Sequence, residues 1–166
     1  MKKRTLALML VCVMLAAVFA GCSGETKSPG TSGGNDTPSG PDTVTGDVIN
    51  IGGLAPLTGD VSLYGINVNN GVKIAVEEVN AAGGILGKQI NYIVYDEKGD
   101  ATEAVNAYNK LVSNDKIVAL IGDVTSTPSL AVAQQAVQDN MPMITASGTA
   151  EAITAVGPNV FRACFI

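Results

Sequence analysis

The segment VALIGDVTSTPSL, Val118 to Leu130, sets three hydroxyls, Thr125, Ser126 and Thr127, between an apolar run broken at Gly122-Asp123 and a new element begun by Pro128. Hydroxyls at such a junction donate and accept hydrogen bonds without titrating near neutrality, so the chemistry they suit is holding a small polar guest. Thr127 is placed as an N-cap, with Pro128 at the first helical position, where its missing N–H costs nothing. Ser126 then precedes the cap with its hydroxyl free at the mouth. Unpaired N–H groups and the macrodipole make a helix N-terminus attractive to anions, and a carboxylate is the natural guest. Thr149, opening a short helix after a fourth strand, offers a second hydroxyl. Ser147 can offer a backbone carbonyl to an ammonium group, and Tyr64, ending the first loop, an aromatic wall. Each residue also has an ordinary structural role: Ser and Thr before helices are usually caps, Tyr64 can cover a sheet edge, and Asp96 with Glu97 can form a solvated loop. What favours a site is that three different loops bring these groups to one edge.

Other chemistry is excluded by composition. The chain has no His and no Trp, so Ser-His-Asp and Cys-His nucleophilic sites and imidazole metal ligands are unavailable. Cys12, Cys22 and Cys164 have no metal-site spacing, and Cys164 reads as a buried small hydrophobe. The formal charge is -5, and Lys2, Lys3 and Arg4 at the extreme start supply part of the positive side. With no clustered Lys and Arg beyond them, nucleic acid is not an expected partner. The first loop reads GGLAPLTGD rather than G-x-G-x-x-G, and no Walker A segment occurs, so no cofactor is implied.

The elements that must position these residues alternate. VINIGGLAP is a short apolar run. Asn67 to Ala81 then places Val68, Val72, Ala75, Val76 and Val79 on one helical stripe, which Gly83 and Gly84 stop. QINYIVYD, β-branched and aromatic, is a second strand. Ala101 to Val112 forms a second helix with Ala104, Val105, Tyr108, Leu111 and Val112 on one face. KIVALIG, a helix from Ser129 to Asp139, MPMITA, a short helix from about Thr149 and a strand in NVFRACFI complete the set. Such alternation, with near-continuous apolar strands, predicts an α/β fold: an open doubly wound parallel sheet in the order 2-1-3-4-5. Right-handed crossovers bring the strand-to-helix loops to one edge, where ligands of open α/β sheets bind.

Before this region lies MKKRTLALMLVCVMLAAVFAGC, with a basic start, an apolar stretch from Leu6 to Ala20 and then small residues. That is the three-part pattern of a secretory signal, and the stretch is shorter than the roughly 20 residues of a comfortable bilayer span. FAGC, Phe19 to Cys22, resembles the lipobox of bacterial lipoproteins, with Phe19 where that motif usually has Leu. Acylation of Cys22 would tether the protein to the membrane by lipid, outside the cytoplasm. Residues 22–46, rich in Gly, Ser, Thr and Pro, read as a flexible linker. The expected organisation is a lipoprotein signal peptide at 1–21, the linker at 22–46 and a ligand-binding lobe at 47–166.

The region from Val48 onward resembles the start of type I periplasmic binding proteins, in the branch of leucine/isoleucine/valine-binding proteins that serve ABC importers. The resemblance rests on PLTG with YG, NAAGGILGK, YDEKGD and IGDVTSTPS, in that order. It implies two α/β lobes closing on a small ligand. Ser126 and Thr149 match positions that hold the amino-acid carboxylate, Ser147 one that helps hold the ammonium, and Tyr64 one that lines the pocket. Some relatives join the second and third loops by a disulfide; Gly99 and Thr125 stand at the matching places here. The family continues through a hinge into a second lobe, whereas this sequence stops in an apolar strand at FRACFI and reads as the first lobe alone.

The resulting expectation is an extracytoplasmic, lipid-anchored substrate-binding protein that captures branched-chain or other small amino acids and delivers them to an ABC importer permease, without chemistry. The alternatives are a ligand-sensing receptor domain of the same fold, a binder of small amides or urea, and an enzyme, for which no nucleophile-base pair or metal cluster speaks.

Overall fold

The computed structural model describes residues 47–165. The expected signal peptide, the linker and Cys22 lie outside them. The described elements are β1 (Val48–Ala55), α1 (Ser62–Ala81), β2 (Gln89–Asp96), α2 (Ala101–Ser113), β3 (Ala119–Ile121), α3 (Ser126–Gln138), β4 (Met143–Thr145), α4 (Glu151–Ala155) and β5 (Val160–Arg162). The strands form one sheet in the order β2-β1-β3-β4-β5, every adjacent pair parallel, as the alternation predicts. β1 leads to β2 on one side, and all later crossovers run the other way. Right-handed connections therefore put α1 on one face of the sheet and α2, α3 and α4 on the other.

The core lies on the side of α2, α3 and α4. Tyr108 and Leu111 from α2, Val132 from α3, Ile153 from α4, and Leu120 and Met143 from the sheet are all essentially excluded from solvent. Tyr108 donates its hydroxyl to Asp139 Oδ2 at 2.8 Å, tying α2 to the end of α3. The opposite face carries α1 alone. Its predicted stripe does turn toward the sheet, but only as one wall of an open apolar groove with Ile51, Ile90 and Ile121. Beyond α1 on the sheet, Ile144 and Phe161 are partnered across β4 and β5 and remain 39% and 54% exposed. On β1, Gly53 lets the Tyr92 ring lie directly over the strand, since a Cβ there would collide with the Tyr92 hydroxyl. Burial pushes that hydroxyl up to about 12.

Several boundaries differ from the sequence reading. α1 starts at Ser62 rather than Asn67, because Gly59 and Val61 carbonyls accept from Ser62 and Tyr64 and wind the first turn early. Its leading apolar residues, Leu63 and Ile66, are exposed and so fall outside the stripe that marked the helix. KIVALIG pairs as a strand over only three residues, and Val118 before it is 58% exposed. α2 matches the reading to within a residue. Asp100 caps it, accepting from Thr102 N at 2.8 Å and Glu103 N at 2.9 Å.

Candidate functional site

At the carboxyl edge of the sheet, the loops after β1, β3 and β4 and the segment after β5 enclose a cleft of about 390 Å³. Tyr64, Ser126, Ser147 and Thr149 all line it, together with Val124, Thr125 and others. The four residues singled out from sequence are thus brought to one place by three separate loops. Thr127 is not among them.

The cap of α3 is Thr125, not Thr127. Thr125 is extended (φ -104, ψ 156), its carbonyl accepts from Ser129 N at 3.1 Å, and its side chain makes no capping bond. Pro128 sits at the third helical position, inside the first turn, where its missing N–H again leaves no helical bond unmade. The cap falls earlier because Asp123 Oδ1 takes the N–H groups of Val124 and Thr125, turning the chain before the hydroxyl cluster rather than within it. Ser126 is therefore the first residue of the helix. The N–H groups of Ser126 and Thr127 precede the first i→i−4 bond and have no intrahelical acceptor.

The β4–α4 loop packs against this turn. Thr145 Oγ1 donates to Asp123 O at 2.5 Å and accepts from Gly148 N at 3.1 Å. Ser147 Oγ donates to Val124 O at 2.7 Å, so its hydroxyl is committed to the protein and its backbone is what remains for a guest. Ala150 N donates weakly to Ser126 Oγ at 3.4 Å. Thr149 does not open α4, which begins at Glu151 behind an Ala150 cap. It stands exposed at the lip, its carbonyl accepting from Arg162 Nη1 at 3.1 Å.

Tyr64 belongs to the first turn of α1 rather than to the loop before it, and at 65% exposed it forms the rim. Gly65 holds that turn down on the loop, since any Cβ there would meet the Pro56 carbonyl. Cys164 is half-buried rather than buried. It lines the cleft beside Phe165, and its Sγ donates to Gly148 O at 3.1 Å.

Three acidic residues at this edge of the sheet were given no site role by the sequence reading. Asp96 and Glu97 are not a solvated loop. Asp96 Oδ1 accepts from Leu57 N at 2.8 Å, Thr58 N at 3.3 Å and Lys98 N at 3.0 Å, and its Oδ2 accepts from Thr58 Oγ1 at 2.6 Å. Burial works to raise its pKa, but these hydrogen bonds outweigh it and hold the carboxyl below its usual range. Glu97 and Asp123 are completely buried. The signal that could have found them is position, since each acid stands at or just past the carboxyl end of an apolar strand, where the site loops begin. Neither Gly99 nor Thr125 is a cysteine, and their N–H groups go to Glu97 Oε2 at 2.7 Å and Asp123 Oδ1 at 3.3 Å.

The arrangement offers hydroxyls, free backbone donors and an aromatic rim around a small volume, with no nucleophile-base pair. Among the described residues no three Cys, Asp or Glu side chains gather as metal ligands would.

Comparison with known proteins identifies the chain's relatives. The chain is 40% identical over 117 residues to the Leu/Ile/Val-binding protein BraC3 of Rhizobium johnstonii, covering 70% of this chain and 32% of that protein. It is 31% identical over 114 residues to the chemotactic signal transduction system substrate-binding protein BasB of Halobacterium salinarum, covering 68% of this chain and 28% of that one. Among solved structures, the branched-chain amino acid transporter substrate-binding protein LivJ of Streptococcus pneumoniae, in complex with isoleucine, superposes with a TM-score of 0.69. The match is 34% identical and covers 72% of this chain and 34% of LivJ. The chain thus spans about a third of the length of these relatives. Residues 48–165 match the family model described as periplasmic binding protein, and the chain belongs to that family.

Proposed function

We propose that this chain is the first lobe of an extracytoplasmic substrate-binding protein that captures a small amino acid, branched-chain amino acids foremost, and delivers it to an ABC importer permease. The observation that carries the reading is the meeting of Ser126, Thr149, Ser147 and Tyr64 in one cleft at the unpaired N-terminus of α3. In this reading the ligand carboxylate accepts hydrogen bonds from the free N–H groups and from the hydroxyls of Ser126 and Thr149. Each hydrogen bond to a charged group contributes about 1.5–3 kcal/mol. The Ser147 carbonyl helps hold the ammonium group, and the Tyr64 ring walls the side chain. The binding is capture without chemistry.

The matched region makes up only about a third of the relatives' length, which supports a second lobe that closes the cleft and excludes water from the ligand's charges. Upstream, the signal at 1–21 is removed, Cys22 is acylated and residues 22–46 tether the lobe to the membrane. A sensing role is the second reading, favoured by the likeness to the chemotactic protein BasB.

Calorimetric titration of the full-length two-lobe protein with leucine, isoleucine, valine and alanine, and with urea and small amides, tests the proposal. Saturable amino-acid binding supports it. Binding of amides alone reassigns the ligand, and binding of neither class overturns it.

A further inference from the structure

Glu97 and Asp123 lie beneath the cleft, where no ligand contact accounts for them. Glu97 follows the last residue of β2, and Asp123 follows β3 after Gly122; both are 0% exposed. Each carboxyl commits one oxygen to its own loop. Glu97 Oε2 accepts from Gly99 N, and Asp123 Oδ1 accepts from Val124 N and Thr125 N. Each is left with one buried oxygen, Glu97 Oε1 and Asp123 Oδ2, that has no donor, and the two acids flank the end of β1, Glu97 N donating to Ala55 O and Gly122, next to Asp123, lying against the Leu54 backbone. Two ionised carboxylates buried near each other repel strongly, and a buried acceptor without a donor is costly. A single proton between Oε1 and Oδ2 removes both penalties at once.

We propose that Glu97 and Asp123 share one proton, and that this acid–acid hydrogen bond staples the β2–α2 loop to the β3–α3 turn that presents Ser126. Loss of the proton loosens the staple, which makes the edge of the site pH-sensitive. The inference stands on the burial and pairing of the two carboxyls, independently of what the cleft binds.

The surroundings supply no competing cation. Among the described residues the ion pair is Lys88 with Asp47, at the far end of β2. Next to Glu97, Asp96 adds negative charge from the same strand end, Lys98 is exposed, and Asp100 gives its N–H to the Glu97 carbonyl. β1 meets Glu97 through the Ala55 carbonyl, and β4 meets Asp123 through the Thr145 hydroxyl, both uncharged. Burial and then the Glu97 charge push Asp123 up to about 8, and burial, with Asp96 beside it, pushes Glu97 up as well.

The sign follows from linkage. The folded pair keeps a proton that the unfolded chain, with ordinary carboxyls near 4, has lost. The stabilisation is complete below about pH 4 and fades as pH rises toward about 8.

Thermal unfolding of the full chain between about pH 5 and about pH 8.5 tests this with three variants. In Glu97→Gln the amide oxygen can keep the Gly99 bond while the amide nitrogen donates to Asp123 Oδ2. Asp123→Asn mirrors this, keeping the Val124 and Thr125 bonds and donating to Glu97 Oε1. The wild type should lose several degrees as pH rises, and either single variant should flatten that loss. The double variant sets two amide donors face to face and should be less stable at every pH. An unchanged pH slope in both single variants would overturn the proposal. So would a wild-type unfolding temperature that drops on adding a chelator, which would put a cation between the oxygens. Should the variants not fold, the infrared carbonyl band of a protonated carboxyl in the wild type at neutral pH decides the matter, its absence overturning the shared proton.

Discussion

Asp96 holds Thr58 by two atoms, Oδ1 receiving the Thr58 N–H at 3.3 Å and Oδ2 its hydroxyl at 2.6 Å. A carboxylate at the end of β2 thereby fixes the loop that leads from β1 to Tyr64. Because the hydrogen bonds set its folded pKa below the unfolded value of about 3.9, its stabilisation is present above that pH. It is lost as pH falls through the lower, folded value. The expected outcome is that amide exchange protection at Leu57 and Thr58, corrected for intrinsic rates, drops below about pH 4. Asp96→Ala should remove that protection at neutral pH and cost about 2 kcal/mol. Full protection in the variant would show that Thr58 is held by something else.

A second expectation concerns α2, whose entry depends on one carboxylate. Asp100 accepts from two first-turn N–H groups, so Asp100→Ala should destabilise the chain by about 1 kcal/mol, whereas Asp100→Asn should retain most of the cap. Chemical denaturation of the two variants side by side checks this, with equal losses in both counting against the cap.

The order of the strands and the faces of the helices were legible because they follow from alternation and handedness, which survive errors in element ends. The ends themselves were not. The first turn of α1 carries apolar residues that stay exposed, so Leu63 and Ile66 broke the periodic signal that Val68 to Val79 kept. The cap of α3 was misplaced for a related reason. TSTP offers three residues that can each cap a helix, and what selects Thr125 is the Asp123 carboxyl turning the preceding backbone. That Ser126, Ser147, Thr149 and Tyr64 meet in one cleft was legible because loops at one sheet edge converge. For Glu97 and Asp123 only their position at the strand ends was legible, since an acid in a loop is ordinarily solvated and only the packed loops reveal that these two are buried, each with one oxygen lacking a donor.

The proposed lipid tether is tested at its single attachment point, Cys22. With Cys22 intact, the protein expressed in a bacterial host should partition with membranes and incorporate labelled fatty acid. Cys22→Ser should abolish the label and release any processed chain, because serine provides no thiol for acylation. Labelling that persists in the variant would rule out Cys22 as the anchor.

The cleft itself is best probed by contrasting two adjacent hydroxyls. Ser126 lines it, while Thr127, one residue on, is exposed and absent from its walls. Both contribute a backbone N–H at the start of α3, and a substitution to Ala leaves that N–H in place. Ser126→Ala in the full-length protein should therefore remove a hydroxyl bonded to the ligand carboxylate and weaken amino-acid binding roughly ten- to a hundredfold. Thr127→Ala should leave affinity nearly unchanged. Thr149→Val, which keeps the shape and the carbonyl held by Arg162, should behave like Ser126→Ala. If Ser126→Ala and Thr127→Ala weaken binding equally, the effect is one of helix-start stability rather than ligand contact. If neither does, the carboxylate is held by the backbone donors alone.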